Sequence, residues 1–267
     1  LTVMVVELIG GFYINSIALI SDAGHMFTHS FAIGISLVAI HIAKTPPCHH
    51  RTFGLYRAEI LAAFVNGLFL LLVVGVIVYE AVVRILNPRD IMGIHMLLIA
   101  LLGLAVNLTS VYILRGSHKD LNVRSVFYHM IADAASSVGI VIAAIIIFYT
   151  DWNIIDPIVS LGISGVILYW AWGVLRESTR TLLEMAPAGL NTDMIIEDLM
   201  RRFPELRRVY NAHIWSITGD MPVFSAHVIL DDSQEVIPKI NEYLSEKYGI
   251  VESTIQVAYG DEPCGGG

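Results

Sequence analysis

The chain of 267 residues contains 15% charged and 55% hydrophobic residues, and its mean hydropathy is +0.68. A soluble domain carries roughly 25% charged residues, so this chain has too few charges to cover itself in water. High apolar content and only two cysteines also exclude intrinsic disorder and a disulfide-based secreted scaffold. The apolar residues fall in long runs before about residue 178, which predicts membrane spans followed by a more polar domain.

Charge divides the chain in the same place. Residues 1–186 hold ten Lys/Arg and eleven Asp/Glu (net −1), and residues 187–267 hold six and thirteen (net −7), which together give the total of −8. An acidic domain repels phosphate, so we expect no nucleic-acid partner. Its acidity either attracts cations or serves only to keep the domain soluble.

Six helical spans are predicted in the apolar part, judged against a membrane core of ~30 Å and a rise of ~1.5 Å per residue. They cover approximately residues 1–14, 22–43, 58–83, 93–114, 125–149 and 154–175. The first is short and begins at Leu1 without an initiating Met or a polar leader, so we expect its N-terminal part to lie outside this chain.

Basic residues in the loops predict the orientation. The loops after spans two and four hold three Lys/Arg each: Lys44, Arg51 and Arg57, then Arg115, Lys119 and Arg124. Only Arg84 and Arg89 lie on the opposite side. Because Lys and Arg are retained on the cytoplasmic side, both termini are predicted to be cytoplasmic.

The polar tail predicts a separate small domain. Pro187, Gly189 and Asn191 indicate a linker at residues 179–191 after a transmembrane domain at 1–178. A helix at 192–203, strands at 209–217 and 223–230, a helix at 234–248 and a strand at 253–258 follow. This αββαβ order predicts a two-layer α+β domain at 192–262, with a flexible end at 263–267.

Ionisable residues inside two spans point to a metal site. His25 and His29 in the second span, and His129 and Asp133 in the fifth, are each spaced i, i+4 and therefore share a helical face. An ionisable residue at the bilayer centre costs ~2.5–3.5 kcal/mol on insertion scales, so it needs a partner. Four convergent imidazole and carboxylate donors suit Zn²⁺, whereas the alternative is a pair of structural hydrogen bonds between helices.

Three further polar residues lie within spans. For Asn66 and Asn107 we expect interhelical hydrogen bonds. Glu7 either makes a similar hydrogen bond or acts on the electric field near the metal site.

Several sequence stretches resemble the cation diffusion facilitators, a family of zinc transporters. The resemblance lies in Ser-Asp-Ala-Gly-His-Met at 21–26, Phe-Gly-Leu-Tyr-Arg-Ala-Glu at 53–59, Leu-Asn-Val-Arg at 121–124, His-Met-Ile-Ala-Asp at 129–133, Asp-Pro at 156–157 and His-Ile-Trp-Ser-Ile at 213–217. It implies an all-α six-helix transmembrane bundle plus a C-terminal α+β ferredoxin-like cytoplasmic domain. It also implies a homodimeric antiporter that exports Zn²⁺ and related ions from the cytosol in exchange for protons.

One ligand position departs from that family. The family's transport site is usually His-x-x-x-Asp in both spans, which fits His129 and Asp133, but the second span has His29 where aspartate is usual. The predicted site therefore holds three imidazoles and one carboxylate, and this departure bears on metal preference.

Two auxiliary sites follow from the resemblance. Cys48, His49 and His50 lie in the loop where relatives often bind metal, although they also fit an ordinary polar loop. Some relatives bind zinc in the tail at the positions of Tyr210 and His227. Tyrosine breaks that ligand set, which leaves His227, with Asp261 or Cys264, as a candidate, and His213 is expected to be structural.

The sequence as a whole predicts a non-enzymatic homodimeric Zn²⁺/proton antiporter that accepts Cd²⁺, Co²⁺ or Ni²⁺. The loop at 116–122 lacks a His-rich insertion, which favours a bacterial inner membrane. A membrane-anchored metal sensor that does not transport stays open as an alternative. A metalloenzyme is disfavoured, because the chain lacks a His-Glu-x-x-His motif and a separate general base.

Overall fold

The computed structural model describes residues 1–46, 48–114, 121–231 and 235–258, and it describes the side chains from residue 127 onward in the helix that begins at residue 121. The described chain forms two compact units. One comprises Leu1–Ile35 with Val65–Leu175, and the other comprises Ser36–Phe64 with the residues from Arg176 onward. The predicted loop residues Arg115 and Lys119, most of the loop at 116–122, and Asp261, Cys264 and the tail at 263–267 lie outside the described residues.

In the part of the chain that the structure describes, six apolar helices precede the polar domain: α1 (Thr2–Ile14), α2 (Ile17–Ala43), α3 (Arg57–Leu86), α4 (Gly93–Leu114), α5 (Leu121–Thr150) and α6 (Ile155–Leu182). Among the described residues, α2 to α6 are long and apolar enough to cross a membrane. The 13 residues of α1 span only about 20 Å at ~1.5 Å per residue. Large apolar side chains on these helices are exposed, as lipid-facing side chains are.

The connection between α1 and α2 is held from two sides. Asn15 ends α1 in the left-handed region with φ 64°, and its carbonyl oxygen accepts a hydrogen bond from the buried Arg84 of α3. On the other side, the buried carboxylate of Asp156 in α6 accepts from the backbone N–H groups of Ile17 and Ala18 at 2.7 and 3.2 Å. This carboxylate caps α2, so the helix begins at Ile17 and not at the predicted residue 22.

Helix α6 also differs from its predicted bounds. It continues to Leu182, so the first residues of the predicted linker at 179–191 are helical. The Asn191 side chain accepts from the Asp193 N–H at 2.6 Å and caps the next helix, as the polar start of that segment predicts. The predicted domain boundaries at 178 and 191 stay predictions.

The polar domain contains α7 (Thr192–Arg202), β1 (Leu206–Ser216), β2 (Pro222–Leu230), α8 (Val236–Tyr248) and β3 (Glu252–Val257). Its αββαβ order and its ferredoxin-like α+β fold are as predicted. The sheet order is β1-β2-β3, with β1 antiparallel and β3 parallel to β2. Ile195 and Leu199 of α7 pack with Phe224 of β2 and Ile240 and Leu244 of α8 in one buried core. Two helices over one sheet therefore make the two predicted layers.

Strand β1 is longer than predicted and irregular. It begins at Leu206, and its pairing with β2 shifts between Tyr210 and His213, where Asn211 has φ 52°. A bulge of this kind places two residues of one strand opposite one residue of its neighbour. Tyr210 consequently pairs with His227, while His213 pairs with Ser225.

One carboxylate joins the two helices of this domain. Asp198 of α7 accepts hydrogen bonds from Lys247, Tyr248 and Tyr243 of α8 at 2.7, 2.7 and 2.8 Å. These three donors stabilise the charged form and hold the pKa of Asp198 down at about 2. Asp198 thus contributes stability only while it is ionised.

We predict that acid removes this contribution in a defined window. The folded-state pKa is below the unfolded value of ~3.9, so the stabilisation is complete above pH ~4 and is lost as pH falls towards 2. Asp198→Asn should lower the stability of the domain at neutral pH by about 1 kcal/mol, a few degrees in Tm, and should abolish this part of the acid sensitivity.

The measurement is thermal unfolding from pH 7 to 2. It uses the full-length protein with every tryptophan except Trp215 replaced. Glu197→Gln, on the same helix as Asp198, is the matched control. Equal acid sensitivity in Asp198→Asn and the control would contradict the assignment.

Candidate metal centre

The structure brings the four predicted ligands together. His25 and His29 lie on α2, and His129 and Asp133 lie on α5. One donor atom from each residue lies within 4.8 Å of all the others, and all four side chains are half-buried. Within the part of the chain that the structure describes, no other group of three or more His, Cys, Asp or Glu residues converges in this way.

The donor atoms are spaced as the ligands of one ion would be. The Nε2 atom of His29 lies 3.1 Å from Nε2 of His25 and 3.0 Å from Nε2 of His129. Asp133 Oδ1 lies 3.3 Å from His25 Nε2, and Asp133 Oδ2 lies 3.7 Å from His129 Nε2. In a tetrahedral zinc site with bonds of ~2.0–2.1 Å, the ligand atoms are about 3.3 Å apart. A small shift of these side chains would therefore accommodate Zn²⁺.

Asp133 is held by its surroundings on α4 and α5. Its carbonyl oxygen accepts from the hydroxyls of Ser136 and Ser137 at 2.8 and 3.2 Å. Asn107 of α4 donates to Ser137 Oγ at 2.8 Å, as predicted for an interhelical hydrogen bond. The roles of the two serines were not predicted, although hydroxyls three and four residues after a predicted ligand are a usable signal in the sequence.

Asp22 lies near the four donors but is not one of them. It is buried, and its Oδ1 accepts from the Ser136 hydroxyl at 3.4 Å. Helix α2 is also joined to α6 by the hydroxyls of Ser21 and Ser160, which are 2.5 Å apart. These contacts fix the face of α2 that presents its two histidines.

Those predicted auxiliary residues that the structure describes do not converge on one site. Cys48, His49 and His50 are exposed, and Cys48 makes a backbone bridge with Arg51. His227 packs edge-to-face against Tyr210, with 5.4 Å between ring centroids. Its suggested partners Asp261 and Cys264 lie outside the described residues. Metal binding at these positions stays a prediction.

His213, which the sequence predicts to be structural, is exposed on β1. With Trp215 it lines a cavity of about 1170 Å³, bordered by Phe53, Arg57 and Glu184. Arg57 and Glu184 form an ion pair of 2.7 Å beside it.

Comparison with known proteins identifies the family. Two family profiles match, "Cation efflux transmembrane domain" over residues 1–183 and "Cation efflux protein, cytoplasmic domain" over residues 189–258. The chain is 39% identical over 268 residues to "Zinc transporter ZitB" of Escherichia coli K12, covering 98% of this chain and 85% of the relative. It is 36% identical over 263 residues to "Cadmium, cobalt and zinc/H(+)-K(+) antiporter" of Bacillus subtilis, covering 95% and 84%. It is also 36% identical over 260 residues to "Cation efflux system protein CzcD" of an Alcaligenes species, covering 96% and 82%. The chain therefore belongs to the cation diffusion facilitator family, whose members are integral membrane transporters and not enzymes.

Proposed function

We propose that this protein exports Zn²⁺ from the cytosol in exchange for protons, as a homodimer with both termini in the cytoplasm. The observation that carries the proposal is the cluster of three imidazoles and one carboxylate between two membrane helices. The relatives named as a zinc transporter and as a cadmium, cobalt and zinc/H⁺-K⁺ antiporter support both the ion and the exchange.

Proton exchange follows from the chemistry of the four donors. Imidazole nitrogen and carboxylate oxygen bind a metal only when they are deprotonated, so protons and Zn²⁺ compete for the same atoms. The three Nε2 atoms are so close that protons on neighbouring rings would repel each other. A site that is exposed alternately to the two sides, by rocking of helices around it, then couples the two flows.

The donor set also favours particular ions. Three nitrogens and one oxygen suit Zn²⁺, and they suit Cd²⁺, Co²⁺ and Ni²⁺ better than the hard, oxygen-seeking Mn²⁺ and Mg²⁺. The relatives named for cadmium and cobalt support this range.

Dimerisation and location rest on other features. The match to the family's cytoplasmic domain supports a homodimer, and metal ions would screen the repulsion between two acidic domains of net charge −7. The basic loop after α2, with Lys44, Arg51 and Arg57, supports cytoplasmic termini. The bacterial relatives support a bacterial inner membrane.

A metal sensor that does not transport is the second candidate, and His29 is the observation that favours it. Reconstitution in sealed proteoliposomes separates the two. With a zinc indicator and a pH indicator inside the vesicles, transport predicts Zn²⁺ entry with opposite proton movement, and a pH gradient of the right sign should drive it. Zn²⁺ binding without entry would identify a sensor instead.

We predict that Asp133→Asn abolishes transport. The change removes the single negative charge among the four donors and should weaken Zn²⁺ binding by more than about 100-fold, while the helix remains folded. Calorimetric titration of the purified protein measures the affinity, with the exposed Asp90→Asn as the matched control. Wild-type affinity in Asp133→Asn would show that the cluster is not the binding site.

His29→Asp tests the departure from the family pattern. With His29, the loaded cluster carries a net charge of about +1, which disfavours binding in a medium of low dielectric constant. Aspartate would neutralise it, and aspartate in water loses its proton near pH ~3.9 where histidine does so near ~6.5. We therefore expect His29→Asp to tighten Zn²⁺ binding, to lower the pH midpoint of metal release and to raise acceptance of Mn²⁺.

A binding titration across pH 5.5–8 with Zn²⁺ and Mn²⁺ makes this measurement. If affinity, pH midpoint and metal ranking all match those of the parent protein, His29 does not bind the ion.

A further inference from the structure

Glu7 on α1 is a buried carboxyl group that the four-donor cluster does not use. Its side chain is 1% exposed, and its Oε2 atom has no hydrogen-bond partner among the described residues. An ionised carboxylate so deeply buried would be costly. A neutral, protonated carboxyl group fits the position better.

The packing of α1 places this group opposite Asp22. The helices α1 and α2 form a tight hairpin in which a Cβ on Gly11 would meet Leu19 and Ile20. Glu7 lies one turn before Gly11 on α1, and the buried Asp22, 3% exposed, lies at the same level on α2. Among the described residues, Asp22 is the charged group that faces Glu7.

Helix α4 makes room for Glu7 on the other side. Gly103 contacts Glu7 Oε1 so closely that any side chain at this position would overlap with it. One turn along the same helix, the neutral Asn107 donates to Ser137. The element packed against α1 thus offers Glu7 space and no positive charge.

Hydrogen bonds continue from Asp22 to the metal centre. Asp22 Oδ1 accepts from the Ser136 hydroxyl at 3.4 Å, and this hydroxyl lies 2.8 Å from the carbonyl oxygen of Asp133. Glu7, Asp22 and Ser136 therefore form a line of polar groups from α1 to the helical turn that holds a metal ligand.

We propose that Glu7 carries an exchangeable proton of its own, separate from the four metal ligands, and releases it when the ion binds. The inference rests on the proposed proton antiport. The loaded cluster holds two positive charges from the ion and one negative charge from Asp133, and this excess favours a new negative charge nearby. The O–H bond of the Glu7 carboxyl group breaks, the electron pair stays on oxygen, and the proton passes by way of Asp22 to water. When the ion leaves, Glu7 takes up a proton again.

The test counts protons released per Zn²⁺ bound by the purified full chain in weak buffer with a pH indicator. Glu7→Gln keeps the shape and hydrogen bonding of a protonated glutamate but cannot ionise, and the exposed Glu177→Gln is the matched control. We expect Glu7→Gln to bind one Zn²⁺ at the cluster and to release about one proton fewer than the wild type and the control. An unchanged proton count in Glu7→Gln would overturn the inference.

A second measurement does not depend on the folding of that variant. Infrared difference spectra of the wild type should lose a protonated-carboxyl C=O band when Zn²⁺ binds, and Glu7→Asp should shift that band. A spectrum without the band, or a band that Glu7→Asp leaves in place, would also overturn the inference.

Failure of the antiport is distinguishable from failure of the inference. If the wild type moves Zn²⁺ without protons, the proposed antiport is wrong and Glu7 has no such role. If proton movement is coupled equally in the wild type and in Glu7→Gln, only the role of Glu7 is wrong.

Discussion

Polar groups inside a membrane need partners, and the way α2 meets this requirement determines where the proposed metal ligands of α2 lie. The first N–H groups of α2 have no carbonyl partners within the helix, and the Asp156 carboxylate of α6 accepts from two of them. This cap fixes where α2 starts and how it is rotated. His25 and His29 follow about 12 and 18 Å along the helix, one turn apart on one face. The Asp156 carboxylate, which binds α2 about two turns before His25, thus directs both imidazoles towards α5.

The cluster has features that suit an ion that must leave again. Its side chains are half-buried, and the protein supplies one negative charge against the two positive charges of the ion. Permanently bound metals usually have histidine ligands whose second nitrogen donates to an acceptor, which strengthens the ligand. The Nδ1 atom of His25 has no hydrogen-bond partner among the described residues. A positive residual charge and one unsupported imidazole both weaken binding, which favours release.

The sequence predicted those features that depend on local patterns. Long apolar runs indicated the helices, and i, i+4 spacing indicated that His25 and His29 share a face, because both patterns report on neighbours along the chain. The start of α2 was not predictable in this way, since its cap comes from Asp156, 139 residues from Ile17. The same holds for the burial of Glu7 against Gly103, which is a contact between helices distant in sequence. Adjacency in sequence does not by itself predict a binding site. Cys48, His49 and His50 are neighbours along an exposed loop, and such neighbours need not converge.

The central claim is that one Zn²⁺ binds to three imidazoles and one carboxylate between α2 and α5. X-ray absorption at the zinc edge, on the full chain loaded with one equivalent of Zn²⁺, tests it most directly. The account predicts four light ligands at about 2.0–2.1 Å, with the outer-shell scattering of three imidazole rings, and one ring fewer in His29→Asp. A sulfur ligand at about 2.3 Å, an oxygen-rich six-ligand shell, or an unchanged ring count in His29→Asp would contradict it.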